Sequence, residues 1–265
     1  MSVYIVSHKE APFLENHPDG YVPLLVGQSQ HELERVYPDA VCDDKGDSIS
    51  SLNPYFCELT ALYWVWKNTD DEVKGIVHYR RFFLTGDGSQ SPMGWADIQM
   101  RLQQHACIVP ISRALLQKVG TDYDRHHVRE DLLLVRDAIM RLSPEYIEAF
   151  NRCMSGRYIY PYNMLIASGS LFDHYCEWLF PVLMDVYRRI DFGERDSYQK
   201  RAIGFLSERL FKVWLIRNNV DVCEQPISLT ERDLKEKVSM ALSTFTARLF
   251  ANDRPSNVEP TRSND

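Results

Sequence analysis

No G-x-G-x-x-G and no P-loop occurs in the 265 residues, so neither a Rossmann dinucleotide site nor a Walker ATP site is supported. Excess positive charge is absent too. Thirty lysines and arginines stand against 37 aspartates and glutamates, for a net charge of −7 and a pI of about 5.6. Such a chain lacks the basic character of a nucleic-acid binder, and any anion it holds must be met by local positive charge. Six cysteines (42, 57, 107, 153, 176, 223) are scattered with no C-x-x-C pair. That argues for free thiols in a reducing cytosol, against a disulfide frame or a zinc site. No signal peptide precedes Val3 and no apolar run approaches a membrane span, so a cytoplasmic protein is expected. Peripheral contact with the inner face of the membrane stays open. No internal repeat is visible.

What is present is enough for a core: 45% of the residues are apolar and 12% of the chain is aromatic. The length suits one domain with a small helical appendage. The expected division is a domain over 1–228, a C-terminal amphipathic helix within 229–251 and a disordered tail over 252–265. The stretch 53–83 organises the rest. Asn53 is expected as an N-cap and Pro54 fits the first helical position. Phe56, Leu59, Tyr63 and Trp66 recur at helical spacing, which gives one apolar face. Asn68-Thr69-Asp70-Asp71 stops this helix, and Gly75-Ile76-Val77 begins a short buried strand ending in His78-Tyr79-Arg80-Arg81. Strand alternation places His78 and Arg80 on one face, Tyr79 and Arg81 on the other. A guanidinium is a permanent charge with a planar donor fork suited to phosphate, and ligands of open α/β sheets lie outside the carboxyl ends of strands. The pair therefore marks an anion site, with a structural ion pair the plain alternative.

The run GDSIS (46–50), then Asn53, CELTALYWVWKN (57–68) and GIVHYRRFF (75–83) resembles a family of unnamed domains in bacterial capsular and exopolysaccharide synthesis proteins. YPYNMLI (160–166), CEWLFPVL (176–183) and GFLSERLFKVWL (204–215) continue it, so the resemblance covers roughly residues 2 to 228. That family is similar to nucleotide-sugar-dependent glycosyltransferases of the GT-A type. It implies an α/β fold, a GT-A-like single domain with a mixed central sheet flanked by helices. It implies donor contacts from Ser7, His8 and Lys9, which follow a first strand over 3–6, and from His78, Tyr79, Arg80 and Arg81. Asp47 is a candidate for ribose or sugar hydroxyls, while Ser48 stands where the family usually has asparagine. Asn53 and Glu58 join the donor group, Glu58 as a partly buried carboxylate that must be hydrogen-bonded or paired.

Asp122-x-Asp124 has the form of a GT-A metal motif, and hard cations favour carboxylate oxygens. It lies well after the strand that should carry it, so both are expected as loop and N-cap residues before a helix over 130–142. No metal is expected to be required, with Mn or Mg kept open. His127 and Asp131 resemble positions facing the acceptor, although a satisfied structural histidine is the common case. A strand over 157–167 carries a polar break at Asn163, Ser170 is expected to cap the next helix, and a long helix spans 198–218. In inverting GT-A enzymes the base is an acidic residue near such a helix, which makes Glu208 the candidate general base, with Glu58 and Asp131 as competitors and Arg209 beside it. An exposed Glu–Arg pair is the alternative. A strand over 220–227 ends the domain. In the helix over 232–250, Val238, Leu242, Phe245, Leu249 and Phe250 form a stripe beside Lys235, Lys237 and Arg248, a pattern suited to packing or to anionic lipid.

The resemblance implies an inverting glycosyltransferase. It would move a sugar from a nucleotide-sugar donor, UDP-galactofuranose among the candidates by resemblance, to a glycan or lipid-linked glycan of a capsule, O-antigen or exopolysaccharide. A non-catalytic sugar- or nucleotide-binding subunit of a polysaccharide assembly complex is the alternative. A nucleotide-sugar hydrolase or phosphotransferase would want a dense acidic metal cluster, which the sequence does not offer.

Overall fold

A computed structural model describes residues 1–228; the predicted C-terminal helix and tail lie outside them. The strands are β1 (Ser2–Ser7), β2 (Tyr21–Leu25), β3 (Val41–Cys42), β4 (Val73–His78), β5 (Cys107–Pro110), β6 (Arg113–Ala114), β7 (Tyr158–Ile159), β8 (Leu165–Ser168) and β9 (Val222–Gln225). The helices are α1 (Gln30–Val36), α2 (Asn53–Phe56), α3 (Leu59–Asn68), α4 (Trp95–Gln104), α5 (Val119–His126), α6 (Arg129–Leu142), α7 (Ile147–Ser155), α8 (Gly169–Arg189) and α9 (Ala202–Arg217).

Seven strands form one mixed sheet in the order β3-β2-β1-β4-β8-β5-β9, and β6 pairs with β7 apart from it. β1 runs parallel to both β2 and β4, while β8 runs antiparallel to β4 and β5. The chain proceeds from β1 to β2 and β3 on one side, then crosses to β4 on the other. The order therefore reverses between β1 and β4, the point where open α/β sheets hold ligands beyond their carboxyl ends. Because β8 runs backwards, its amino end, preceded by Tyr162 and Asn163, reaches the same edge.

Alternation along the strands builds two cores. Tyr4, Val6 and Ile76 face the larger one, with α3, α8 and α9. Val3, Ile5 and Val77 face the smaller one, with Phe13, Phe83 and Ile98. Both faces of the sheet are thus covered, which is why these strands are nearly continuous apolar runs.

Several local expectations are corrected. The helix over 53–67 is two helices broken at Cys57, where φ is 53° and ψ is −131°. Asn53 is no N-cap: its Nδ2 donates to Cys57 O at 3.0 Å and Thr60 Oγ1 at 3.1 Å, across the break. Gly27, at φ +79°, lets that amide pack close, since a Cβ there would lie 2.9 Å from Asn53 Oδ1. The strand over 157–167 is split into β7 and β8 by Tyr162 and Asn163, both at positive φ (77° and 52°). Asp122 and Asp124 lie inside α5, not in a loop. Ser168, not Ser170, caps α8 by accepting from Leu171 N at 3.3 Å. β4 ends at His78, and a tight turn follows: His78 N donates to Arg81 O at 2.8 Å and Arg81 N to His78 O at 3.1 Å. The predicted alternation of faces therefore stops at His78.

Candidate functional site

A cavity of about 730 Å³ opens at the reversal point between β1 and β4. Its strand-edge wall carries His8 and Lys9 after β1, and His78, Tyr79, Arg80 and Arg81 at the end of β4. The pairing of Val6 with His78 brings these two ends side by side, and Tyr79 N donates to Val6 O at 3.1 Å. Tyr79 is the hub of the wall. His8 meets its ring edge-on at 5.4 Å, and Lys9 and Arg80 lie 5.3 and 5.7 Å from its centroid. Arg81 stacks over Tyr162 at 4.4 Å. Ring faces attract cations, so Tyr79 and Tyr162 gather Lys9, Arg80 and Arg81 along this wall. His78 is buried, and burial, with Arg81, Arg80 and His8 beside it, lowers its pKa to about 3. It is neutral, and its buried Nε2 has no hydrogen-bond partner among the described residues. Such an atom calls for a partner that the described residues do not supply.

The opposite wall is made of helix ends: Asn53, Cys57 and Glu58 at the α2–α3 break, Arg201 and Glu208 on the α9 side, and Tyr162 before β8. The two carboxylates are held by the left-handed pair. Tyr162 N donates to Glu208 Oε1 at 2.8 Å, and Asn163 Nδ2 donates to Glu58 Oε1 at 2.8 Å and Gly204 O at 3.3 Å. Arg209 Nη1 donates to Glu208 Oε2 at 3.1 Å. Burial raises the Glu208 pKa, against the pull of Arg209 and the Tyr162 amide, and nearby Glu58 raises it further. A basic carboxylate, 19% exposed, thus faces the cavity.

Not every predicted residue reaches this cavity. Ser7 is buried, and its Oγ closes a turn on the Lys9 backbone. Asp47 accepts from Tyr63 OH at 3.0 Å and clips to Asn68 through its backbone. Asp131 is fully buried in a bidentate pair with Arg195, at 2.7 and 2.8 Å, which anchors the loop before α9. His127 stacks behind Phe205 at 4.3 Å, and burial, then Arg209, lower its pKa to about 4. Asn163 and Arg209 act behind the wall, through Glu58 and Glu208. Cys57, Tyr162 and Arg201 were not singled out by the sequence. Only the i, i+7 spacing of Arg201 and Glu208 on one helix could have found one of them.

The donor set does not fit a divalent cation at the strand edge. Among the described residues no carboxylate lines that wall, and Asp122 and Asp124 are outside the cavity, against Arg209 and Arg129 at 3.7 Å each. Among the described residues, a group of potential metal ligands occurs at His31, Glu34 and Cys42. It lies outside this cavity, and Lys45 and Asp44 already pair with Glu34 and His31. No helix among the described residues is long and apolar enough to cross a membrane.

Comparison with known proteins follows the same lines. Residues 2–219 match the family model described as "Domain of unknown function (DUF4422)". No curated protein matches. Among solved structures, the WbbM bifunctional glycosyltransferase in its apo form superposes with a TM-score of 0.75 at 25% identity. That match covers 87% of this chain and 45% of the other, so the chain spans less than half of that protein. Glucosyl-3-phosphoglycerate synthase from Mycobacterium tuberculosis, solved with Mn2+, UDP and glucosyl-3-phosphoglycerate, is a distant likeness: TM-score 0.33 and 12% identity over 98% of this chain and 82% of the other.

Proposed function

The chain belongs to the DUF4422 family, and we propose that it is a glycosyltransferase that moves a sugar from a nucleotide diphosphate donor to a glycan hydroxyl. One observation carries this reading: a cationic strand edge and a basic, positioned carboxylate face each other across one cavity. The likeness to WbbM supports the same class of reaction.

In this reading His8, Lys9, Arg80 and Arg81 bind the diphosphate, and neutral His78, in the tautomer with its proton on Nε2, donates one hydrogen bond to it. Their charge stabilises the leaving group as the bond from the anomeric carbon to the diphosphate oxygen breaks. The acceptor hydroxyl attacks that carbon from the opposite face and yields its proton to Glu208. Such a base contributes about 10²–10⁴-fold. The configuration inverts, and UDP leaves. Cationic side chains take the place of a divalent ion, so neither Mn nor Mg is required. Glu58, committed to Asn163, orients rather than deprotonates. UDP-galactofuranose and a lipid-linked surface glycan are the donor and acceptor to try first, with the enzyme working at the inner face of the membrane.

The test is turnover of UDP-sugars with and without glycan acceptors, in the presence and absence of chelator. Acceptor-dependent release of UDP that survives chelation is expected. Binding without turnover across a donor panel would favour the sugar-binding subunit, and release without acceptor would favour a hydrolase.

A further inference from the structure

Among the described residues, Arg201 is the cavity cation that does not lie on the strand edge. It precedes α9 and shares a face with Glu208; seven residues at 1.5 Å each separate them by about 10 Å along the axis. Gly204 lines the cavity between them, so no side chain rises there. Arg201 gives its Nε to the Cys57 sulfur at 3.2 Å. Burial and the adjacent Glu58 push that thiol up to about 11, so it is neutral and offsets no charge. Glu58 and Glu208 are engaged by Asn163, Tyr162 and Arg209. No carboxylate among the described residues forms an ion pair with Arg201, and its terminal nitrogens donate to no protein group there. Phe205 backs the guanidinium at 5.7 Å.

A guanidinium fork with its two ends unspent, on the wall of a cavity, suits a bidentate carboxylate or phosphate. The donor diphosphate has its own cations at the strand edge. We propose that Arg201 binds a negatively charged group on the acceptor, a sugar carboxylate or sugar phosphate, carried on the residue beyond the hydroxyl that Glu208 deprotonates. This rests on the glycosyltransferase reading of the cavity, and it makes the acceptor an acidic glycan.

The full chain is titrated with methyl glucuronide, glucose 6-phosphate and methyl glucoside, first alone and then with UDP. Both anionic probes, or one of them, should bind at least about tenfold tighter than the neutral one, as a charged hydrogen-bonded contact gives. The tighter anion tells carboxylate from phosphate. Arg201→Gln should erase the preference and leave UDP affinity unchanged. Arg201→Lys, which keeps the charge and loses the fork, should retain part of it and guards against a variant that fails to fold. Equal binding of all three probes by the native chain overturns the proposal, as does an intact preference in Arg201→Gln. So does a loss of UDP affinity in Arg201→Gln equal to that in Arg81→Ala, which would place Arg201 in the donor clamp. If the native chain binds no UDP, the donor reading fails instead, and the titration without UDP still decides the role of Arg201.

Discussion

The two walls of the cavity are built by different means. The strand-edge wall is regular: two parallel strands end side by side, and the residues after each end supply His8, Lys9, Arg80 and Arg81. The helix-end wall is irregular: it depends on Cys57, Tyr162 and Asn163, all at positive φ without being glycine. Such conformations persist only where the surroundings over-determine them, and they gather at functional sites. Here they aim two carboxylates. The regular wall is suited to hold a charge that every donor shares, and the irregular wall is suited to fix one proton acceptor in place.

This contrast can be broken most sharply at Glu208. Glu208→Gln keeps the shape and the acceptor oxygen for Tyr162 N but removes basicity, so a rate loss of about 10²–10⁴-fold is expected with UDP binding intact. A rate near the native value would remove the helix-end wall from the chemistry. The pH profile sharpens the same point. Burial raises the Glu208 pKa above its ordinary 4.5, so the rate should fall as pH drops through that raised value, in a limb lying above pH 4.5. The sign for stability is opposite. The folded state binds this proton more tightly than the unfolded chain, so the group costs stability as pH rises from 4.5 through the raised pKa. Glu208→Gln removes that cost, and its melting temperature at neutral pH should not fall.

Arg80→Ala and Arg81→Ala test the other wall. Each should weaken UDP by about 1.5–3 kcal/mol, roughly 10- to 150-fold, with fold unchanged. Unchanged affinity in both folded variants would leave the strand edge without its proposed ligand.

Asn163→Ala comes next in size. It strips Glu58 of its hydrogen bond and forces alanine into positive φ, so a loss of stability of about 1–3 kcal/mol is expected, read by denaturant unfolding. Asn163→Gly keeps the backbone conformation, so it should lose less stability but the same positioning of Glu58. If both variants match the native turnover, the left-handed pair serves the fold alone. The smallest effect belongs to Cys57→Gly, which relieves the strain at φ 53° and should raise the melting temperature by a few degrees, since such strain costs about 1 kcal/mol or more. Cys57→Ala keeps the strain and should not.

The same contrast explains what was legible in the sequence. β1, β4 and the cations beyond them follow from apolar runs that end in polar residues, a signal local to a few positions. The helix α8 and its Phe172, Cys176, Leu179 and Leu183 follow from period 3.6. The break at Cys57 was not legible. Propensity favours one continuous helix over 53–67, and the interruption is set by Asn53, whose amide spans the gap and packs on Gly27 from another element. Asp131 looked like a site residue through the family resemblance; its partner Arg195 lies 64 positions away, beyond any local pattern. The tight turn after His78 also escaped, because Tyr79-Arg80 carries no glycine, asparagine or proline to announce it.

The reversed strand β8 has a consequence in time. Its pairing joins residues 165–168 to 73–76 and leaves the Tyr162–Asn163 pair dependent on it. Contacts so distant in sequence form late, because the loop between them must close first. During synthesis, residues 2–81 carry the cations of the strand-edge wall, while the Tyr162 ring under Arg81 and the carboxylate wall wait for β8 and α9. A nascent chain stalled before residue 163 is therefore expected to hold a charge trap without a base. A pulse of UDP binding during refolding would precede the recovery of turnover, and the interval between them would time the arrival of β8.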